Sequence, residues 1–389
     1  MGYGLTHQLS DAVQVRQGLR YLDYSVDGPI VYYPGGTSPT SLARDYFTYR
    51  GDFGVLSLDN QVEGRFRTGQ VEHRVLAGVE LVDYRASSKG DLFNLQPINP
   101  FAPTYGGGAT AAGPFFSSRE VLKQAGVYAQ YRARVAERVV LTAGLRYSDV
   151  RDRVTDRLGA STTRQNDTET SLTAGAVWLL PSGFTPYVSY AESFEPQVGY
   201  DPLLSGETPA PSLGRQYEAG LGWRSADARV EVKAAGFQIT QTNIVNPDPA
   251  NPGFSTLNGE QRHRGLDVEL AVRVARALRL DAGYAYLDAE ITKSTYGDQG
   301  AHPARTAGGA GGVAHRGAAP GVAAERAQRV SAAGVHGGGC GARWRLGPVT
   351  AAVDVQNLFN RRYYPGTFFG GAVIPGQPRM VVGSVRTRF

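Results

Sequence analysis

Apolar and polar residues alternate along this chain with a period of two, in run after run. In 139–147, Val139, Leu141, Ala143, Leu145 and Tyr147 fall on one face, against Thr142, Gly144 and Arg146 on the other. Tyr217, Ala219, Leu221 and Trp223 oppose Gln216, Glu218, Gly220 and Gly222. Val268, Leu270, Val272 and Val274 oppose Asp267, Glu269 and Arg273, and Val13, Val15, Leu19 and Tyr21 oppose Gln14, Arg16 and Arg20. Successive side chains of a strand point to opposite faces, so this period predicts strands. They are placed near 2–9, 12–26, 45–67, 72–86, 119–134, 138–151, 168–180, 184–194, 213–224, 228–241, 262–274, 278–291, 349–359 and 378–389. One phase slip, from Val230, Val232 and Ala234 to Phe237 and Ile239, predicts a β-bulge.

The gaps between these runs fall into two classes that alternate. Short turns are expected at 134–137, 181–183, 225–227 and 275–277, and long loops at 27–44, 86–118, 152–167, 194–213 and 242–261. Strict alternation sends successive strand ends to two different compartments, as in an up-and-down sheet that crosses a membrane. Many runs exceed the about five or six residues of an average soluble strand. Tyr21, Tyr84, Tyr131, Tyr147, Trp178, Trp223 and Tyr286 lie near strand ends and fit an aromatic girdle. The expected fold is all-β: a transmembrane antiparallel up-and-down β-barrel.

Composition agrees with this reading. The chain has 50 Gly, 22 Pro and 21 Tyr among 389 residues, which favours strands and turns over helices. No apolar run is long enough for a membrane-spanning helix. Cys340 is the sole cysteine, which excludes a disulfide framework. The net charge of +5 comes from arginines interleaved along strands, so nucleic acid is not an expected partner. The opening residues, Met1-Gly-Tyr-Gly-Leu-Thr-His-Gln-Leu9, read as the interior of a strand rather than a leader peptide.

Several motifs carry a family resemblance. Val353-Asp-Val-Gln-Asn-Leu-Phe-Asn-Arg-Arg-Tyr-Tyr364 resembles the penultimate strand of TonB-dependent outer-membrane receptors, and Gln377-Pro-Arg-Met-Val-Val-Gly-Ser-Val-Arg-Thr-Arg-Phe389 their last strand. Ser193-Phe-Glu-Pro-Gln197, Gly214-Arg-Gln-Tyr-Glu218 and 261–269 are similar to motifs of the siderophore subgroup, and 59–79 to the ferrichrome-type receptors in particular. The resemblance implies an outer-membrane barrel of about 22 strands with a plugged lumen. It implies a receptor and transporter for a ferric siderophore of the hydroxamate type, and no enzyme. Energy would come from TonB–ExbB–ExbD through the plug, with the lipid bilayer and the barrel-assembly machinery as further partners. Phe389 would be the assembly signal. No cofactor is implied, since the ferric siderophore is cargo.

Against the family pattern, the plug and the first strands are missing, so the barrel is expected to be incomplete. The chain divides into barrel strands at 1–298, an anomalous Gly/Ala/Arg-rich segment at 299–341 and the last strands at 342–389. The family places three strands in that middle segment. It reads either as a disordered insertion or as a stretch translated out of frame. Two other functions compete with the receptor: a passive porin-like channel, and an inactive truncated gene product.

Enzymatic and metal chemistry find little support. His302, His315 and His336 share no ligand spacing, and Glu325 is the single carboxylate among them. Gly106-Gly-Gly-Ala-Thr-Ala111 lacks the strand and helix of a dinucleotide loop. The candidate ligand contacts are loop aromatics. A hydroxamate siderophore already saturates its iron with oxygens, so recognition falls to aromatic contact and a few hydrogen bonds. Those candidates are Tyr46, Phe101, Tyr105, Phe115, Phe116, Tyr200, Phe254, Phe368 and Phe369. Arg146, Gln216, Arg386 and Arg388, on the polar face, are expected to meet plug or water.

Overall fold

The computed structural model describes residues 1–32, 36–38, 40–197, 202–248, 250–251, 253–294, 299–300, 335–362, 366–368, 372–374 and 376–387. Each period-two run forms a strand. They are β1 (Gly2–Ser10), β2 (Val13–Tyr32), β3 (Gly36–Ser38), β4 (Ser41–Thr68), β5 (Val71–Ile98), β6 (Ala109–Val135), β7 (Val139–Asp156), β8 (Ser161–Trp178) and β9 (Phe184–Glu195). There follow β10 (Ser212–Arg224), β11 (Val230–Pro247), β12 (Ser255–Arg273), β13 (Leu278–Lys293), β14 (Val335–Leu346), β15 (Val349–Gln356), β16 (Gly366–Phe368), β17 (Ala372–Ile374) and β18 (Met380–Thr387). Apart from the β16–β17 hairpin and β3, which pairs with β4, the strands follow one another in a single antiparallel sheet from β1 to β18. Among the described residues β1 and β18 do not pair with each other, so the barrel wall is not closed.

The two faces invert the arrangement of a soluble protein. One face buries Glu63 and Ser148, each 1 % exposed, while the other presents Leu145 and Val127 at 52 % and 58 %. Water would not sustain the exposed apolar face; hydrocarbon does. The outward residues of β7 run Leu141, Ala143, Leu145 and Tyr147, then change to Asp149 and Arg151, which pair at 2.9 Å. On β5 the outward run from Val75 to Leu81 likewise ends at the Asp83–Arg85 pair, 2.7 Å. An apolar stretch of about nine tilted residues spans roughly 25 Å, the height of an outer-membrane hydrocarbon band. At the short-turn end, Phe66, His73 and Tyr131 stack outward, with a 2.6 Å contact between His73 Nδ1 and the Tyr131 hydroxyl. Inside, near the same end, Glu63 receives Arg16, Arg65 (2.7 Å) and Arg74 (2.6 Å).

Four expectations need correction. The long loops at 27–44, 86–118, 152–167 and 242–261 are largely zipped into hairpins, because a hairpin once in register gains a ladder hydrogen bond with each added pair. No bulge interrupts 230–241, whose register against β12 is continuous. Phe237 and Ile239 simply face inward. The Phe237 ring fills the space over Gly265, where a Cβ would lie 2.3 Å from it. Tyr84, assigned to the girdle, shares the inward face with Glu80. Finally, β14 lies where no strand was placed, in the stretch that the family fills with strands. Its Gly-rich sequence pairs with β13 and β15, so among the described residues one strand lies between those two, and residues 335–341 of the Gly/Ala/Arg-rich segment belong to it. Residues 301–334 lie outside the described residues. The small outward side chains of Cys340 and Ala342 leave a lipid-facing hollow of about 560 Å³, edged by Leu270, Leu280 and Trp344.

Candidate functional site

Beyond the hydrocarbon band, toward the long-loop end, the inward face changes character. On β4 the alternation Phe47-Thr-Tyr49-Arg-Gly-Asp-Phe53 puts three rings on one face. Phe53 stacks on Tyr24 of β2 with centroids 4.8 Å apart. Tyr49 lies 5.7 Å from Phe116 of β6, which meets Phe47 edge-on at 5.8 Å. The register shift between Gly90 and Asp91 gives β6 an extra residue, Phe115, which lies 5.3 Å from Phe47 as well. Phe47 and Phe116 are buried and act as the base of the cluster, whereas Tyr24 is 45 % exposed. Tyr84 extends this wall toward β6 and β7.

Next to the rings stands an acidic patch. Glu120 lies opposite Ala86 and Val154, and Asp152 lies opposite Leu122 and Gln165. Burial pushes the Glu120 carboxyl up to about 7, with the nearby Asp152 adding to the shift. Burial also lifts Asp152 to about 6; the approach of the Arg153 amide offsets part of this, and Asp167 adds to it. The buried amide of Gln165 donates to Asp167 at 2.8 Å and to the Pro209 carbonyl at 2.9 Å. That second bond fastens the segment at 202–211 over the interior.

Gln197 is the main clasp of this loop. Its Nε2 donates to the carbonyls of Ala210 and Asn243, both at 2.6 Å, and its Oε1 accepts from the Val245 amide at 3.2 Å. Asn243 takes a positive φ of 56° there and donates to the Pro211 carbonyl at 3.1 Å. Gln197 ends the Ser193–Gln197 motif, which thus ties β9, β10 and β11 together at the mouth.

The candidates read from sequence are only partly brought together. Phe115 and Phe116 join the inward cluster. Tyr46 does not: strand parity turns it to the face opposite Phe47, where it stacks on Phe93 at 4.6 Å. Phe101 and Tyr105 project from the loop at 99–108, 79 % and 75 % exposed. Phe254 is half-buried in the turn that closes β11 onto β12, where its carbonyl accepts from the Asp248 amide at 2.8 Å. Phe368 lies in β16, while Tyr200, Phe369, Arg388 and Phe389 lie outside the described residues. Of the polar-face residues, Arg146 bonds Glu80 at 2.6 Å, Gln216 bonds Glu218 at 3.1 Å, and Arg386 faces inward. Sequence reading missed Phe47, Tyr49, Tyr24, Glu120, Asp152 and Gln197. The period-two rings of 47–53 were a usable signal for the first two.

Comparison with known proteins agrees with this architecture. Residues 1–370 match the family model described as TonB dependent receptor-like, beta-barrel. The chain is 31 % identical over 324 residues to the ferrichrome outer membrane transporter/phage receptor of Escherichia coli K12, covering 76 % of this chain and 43 % of that protein. It is 30 % identical over 300 residues to the ferrioxamine B receptor of Salmonella typhimurium, covering 77 % of this chain and 42 % of that protein. It therefore spans less than half the length of these relatives. Among solved structures, the siderophore receptor PiuA of Acinetobacter baumannii superposes with a TM-score of 0.73 at 16 % identity, over 98 % of this chain and 63 % of that one.

Proposed function

The chain belongs to the TonB-dependent receptor β-barrel family, and from that premise we propose that it forms the outer-membrane wall of a ferric-siderophore receptor of the hydroxamate type. The family is one of outer-membrane receptors and transporters rather than enzymes. The observation that carries the reading is the ring cluster of Tyr24, Phe47, Tyr49, Phe53 and Phe116, on the inward face and at the long-loop end. A ferric hydroxamate presents apolar linkers around a metal whose coordination is full. Rings suit such a surface, and no protein ligand to iron is needed. Buried Phe47 and Phe116 fix the shape of the wall, and the more accessible tyrosines offer ring faces and hydroxyl groups. Transport then requires TonB acting through a plug inside this wall. The ferrichrome and ferrioxamine B receptors named above support the hydroxamate class.

The test is titration of the detergent-folded 389-residue chain with a panel of ferric siderophores, followed by intrinsic fluorescence. Ferric hydroxamates are expected to bind, and Tyr24→Ala with Tyr49→Ala to weaken binding about tenfold or more. Binding of catecholate complexes alone, or of none, would overturn the reading.

A further inference from the structure

We propose that Glu120 and Asp152 form a cation-recognising subsite at the edge of the aromatic wall, which takes the protonated amine or guanidinium group on the arm of a ferric chelate. The inference rests on the siderophore-receptor reading and deepens it. Asp152 is 5 % exposed, yet among the described residues neither of its carboxylate oxygens has a hydrogen-bond partner in ordinary geometry. A buried carboxylate left without a donor is costly, and native structures rarely keep one without a use. No cation among the described residues meets this need. Arg119, Lys123, Arg151 and Arg153 alternate to the outward face of the same two strands. Arg146, inward and nearer the band, is engaged by Glu80 at 2.6 Å and by Ser148 at 2.9 Å. The Gln165 amide is committed to Asp167 and Pro209.

The surroundings favour an organic cation. Tyr84 shares the inward row of Leu122 and Asp152, and Tyr49 and Tyr24 lie along the same wall. Tyrosine rings beside carboxylates provide both a cation–π face and charge-assisted acceptors, a combination suited to an ammonium or guanidinium. Among the described residues no three groups of metal-ligating type converge, so a bare divalent ion has too few ligands here. An incoming ammonium would also stabilise the ionised form of both acids, which burial now disfavours.

Two chelates test this on the full chain: a linear ferric trihydroxamate ending in a primary amine, and the same chelate N-acetylated. Fluorescence titration at pH 7.4 should give the amine form about tenfold tighter binding, the size of one charge-assisted interaction. In the Glu120→Gln/Asp152→Asn double variant the ratio of the two affinities should fall to about one. The comparison on the unaltered chain needs no variant, so misfolding cannot mask it. Equal affinities there would overturn the subsite and leave the siderophore reading standing. Binding of neither chelate would overturn both. A preference that persists in the double variant would overturn the assignment to Glu120 and Asp152.

Discussion

The ring of Tyr187 occupies the place where Gly220, its direct cross-strand partner, would carry a Cβ. Built there, that atom would lie 2.4 Å from the ring. The hydroxyl reaches on to Glu218 at 2.6 Å. Gly220→Ala should therefore destabilise the folded wall by about 1–3 kcal/mol, because the ring must leave its position and its hydrogen bond. Gly236→Ala is the control, since the nearest atom to its Cβ is at 3.9 Å; it should be neutral or stabilise slightly. Urea unfolding in lipid vesicles checks both, and equal effects would contradict the packing described.

Most of the wall could be read from the chain, and the reasons are visible in particular strands. At the short-turn end, alternation runs unbroken up to a turn, so β7 was expected from 138 and begins at Val139. At the other end polar residues occupy both faces, and the period fades although pairing continues; β5 was expected to stop at 86 and runs to Ile98. Strand β14 was illegible because Gly337–Gly339 carry no side chains to show a phase. The site suffered from the same loss of contrast. Tyr46 and Phe47 are adjacent and both aromatic, and the register that turns Phe47 inward and Tyr46 outward is set by distant pairing with β2 and β5. Glu120 and Asp152 look like surface charges until burial is known. The family resemblance identified the fold and the class, but it could not supply these neighbours.

If hydrocarbon surrounds the outward face, a charge at mid-band is costly. Leu145 sits outward between Ala143 and Tyr147 on β7. Leu145→Arg should cost about 2–4 kcal/mol of folding free energy in vesicles, whereas Thr168→Arg, outward but beyond the band on β8, should cost about 0–1 kcal/mol. Urea titrations of both variants decide it. Equal small costs would mean that this face does not meet lipid.

Glu63 is the hub of the short-turn end, with three arginines around one fully buried carboxylate. Removing the hub leaves those cations facing one another across strands β2, β4 and β5. Glu63→Ala is expected to cost about 3 kcal/mol, and Arg16→Ala less, because Arg65 and Arg74 would still neutralise the acid. A double-mutant cycle with Arg74→Ala should show coupling of about 1 kcal/mol or more. Additive effects would argue against the network.

Gln197 holds the loop at 202–211 to β11 by three hydrogen bonds at the mouth of the wall, beyond the hydrocarbon band. Gln197→Ala should therefore open the mouth without unfolding the barrel. The expected result is faster hydrogen exchange and proteolytic cleavage within 202–211, with the global unfolding midpoint shifted by less than about 1 kcal/mol equivalent. A large drop in global stability would instead make the clasp part of the folding core.

The acidic patch predicts a direction for pH. Glu120 lies outside the hydrocarbon band, and its carboxyl is raised from 4.5 to about 7. A raised acid favours the protonated folded form. Its cost is absent below the unfolded value near 4.5, grows as pH rises, and is complete above about 7. Glu120→Gln, neutral at every pH, removes that dependence. The variant should unfold at about the same temperature as the parent chain at pH 4, and at a higher temperature at pH 8, in detergent scans. Asp152→Asn should behave alike over a lower window, since Asp152 rises from 3.8 to about 6. The two groups lie close enough to couple, so the double variant should gain less than the sum of the single ones. A gain at pH 4 equal to that at pH 8 would point to packing rather than charge, and would remove the electrostatic basis for the patch.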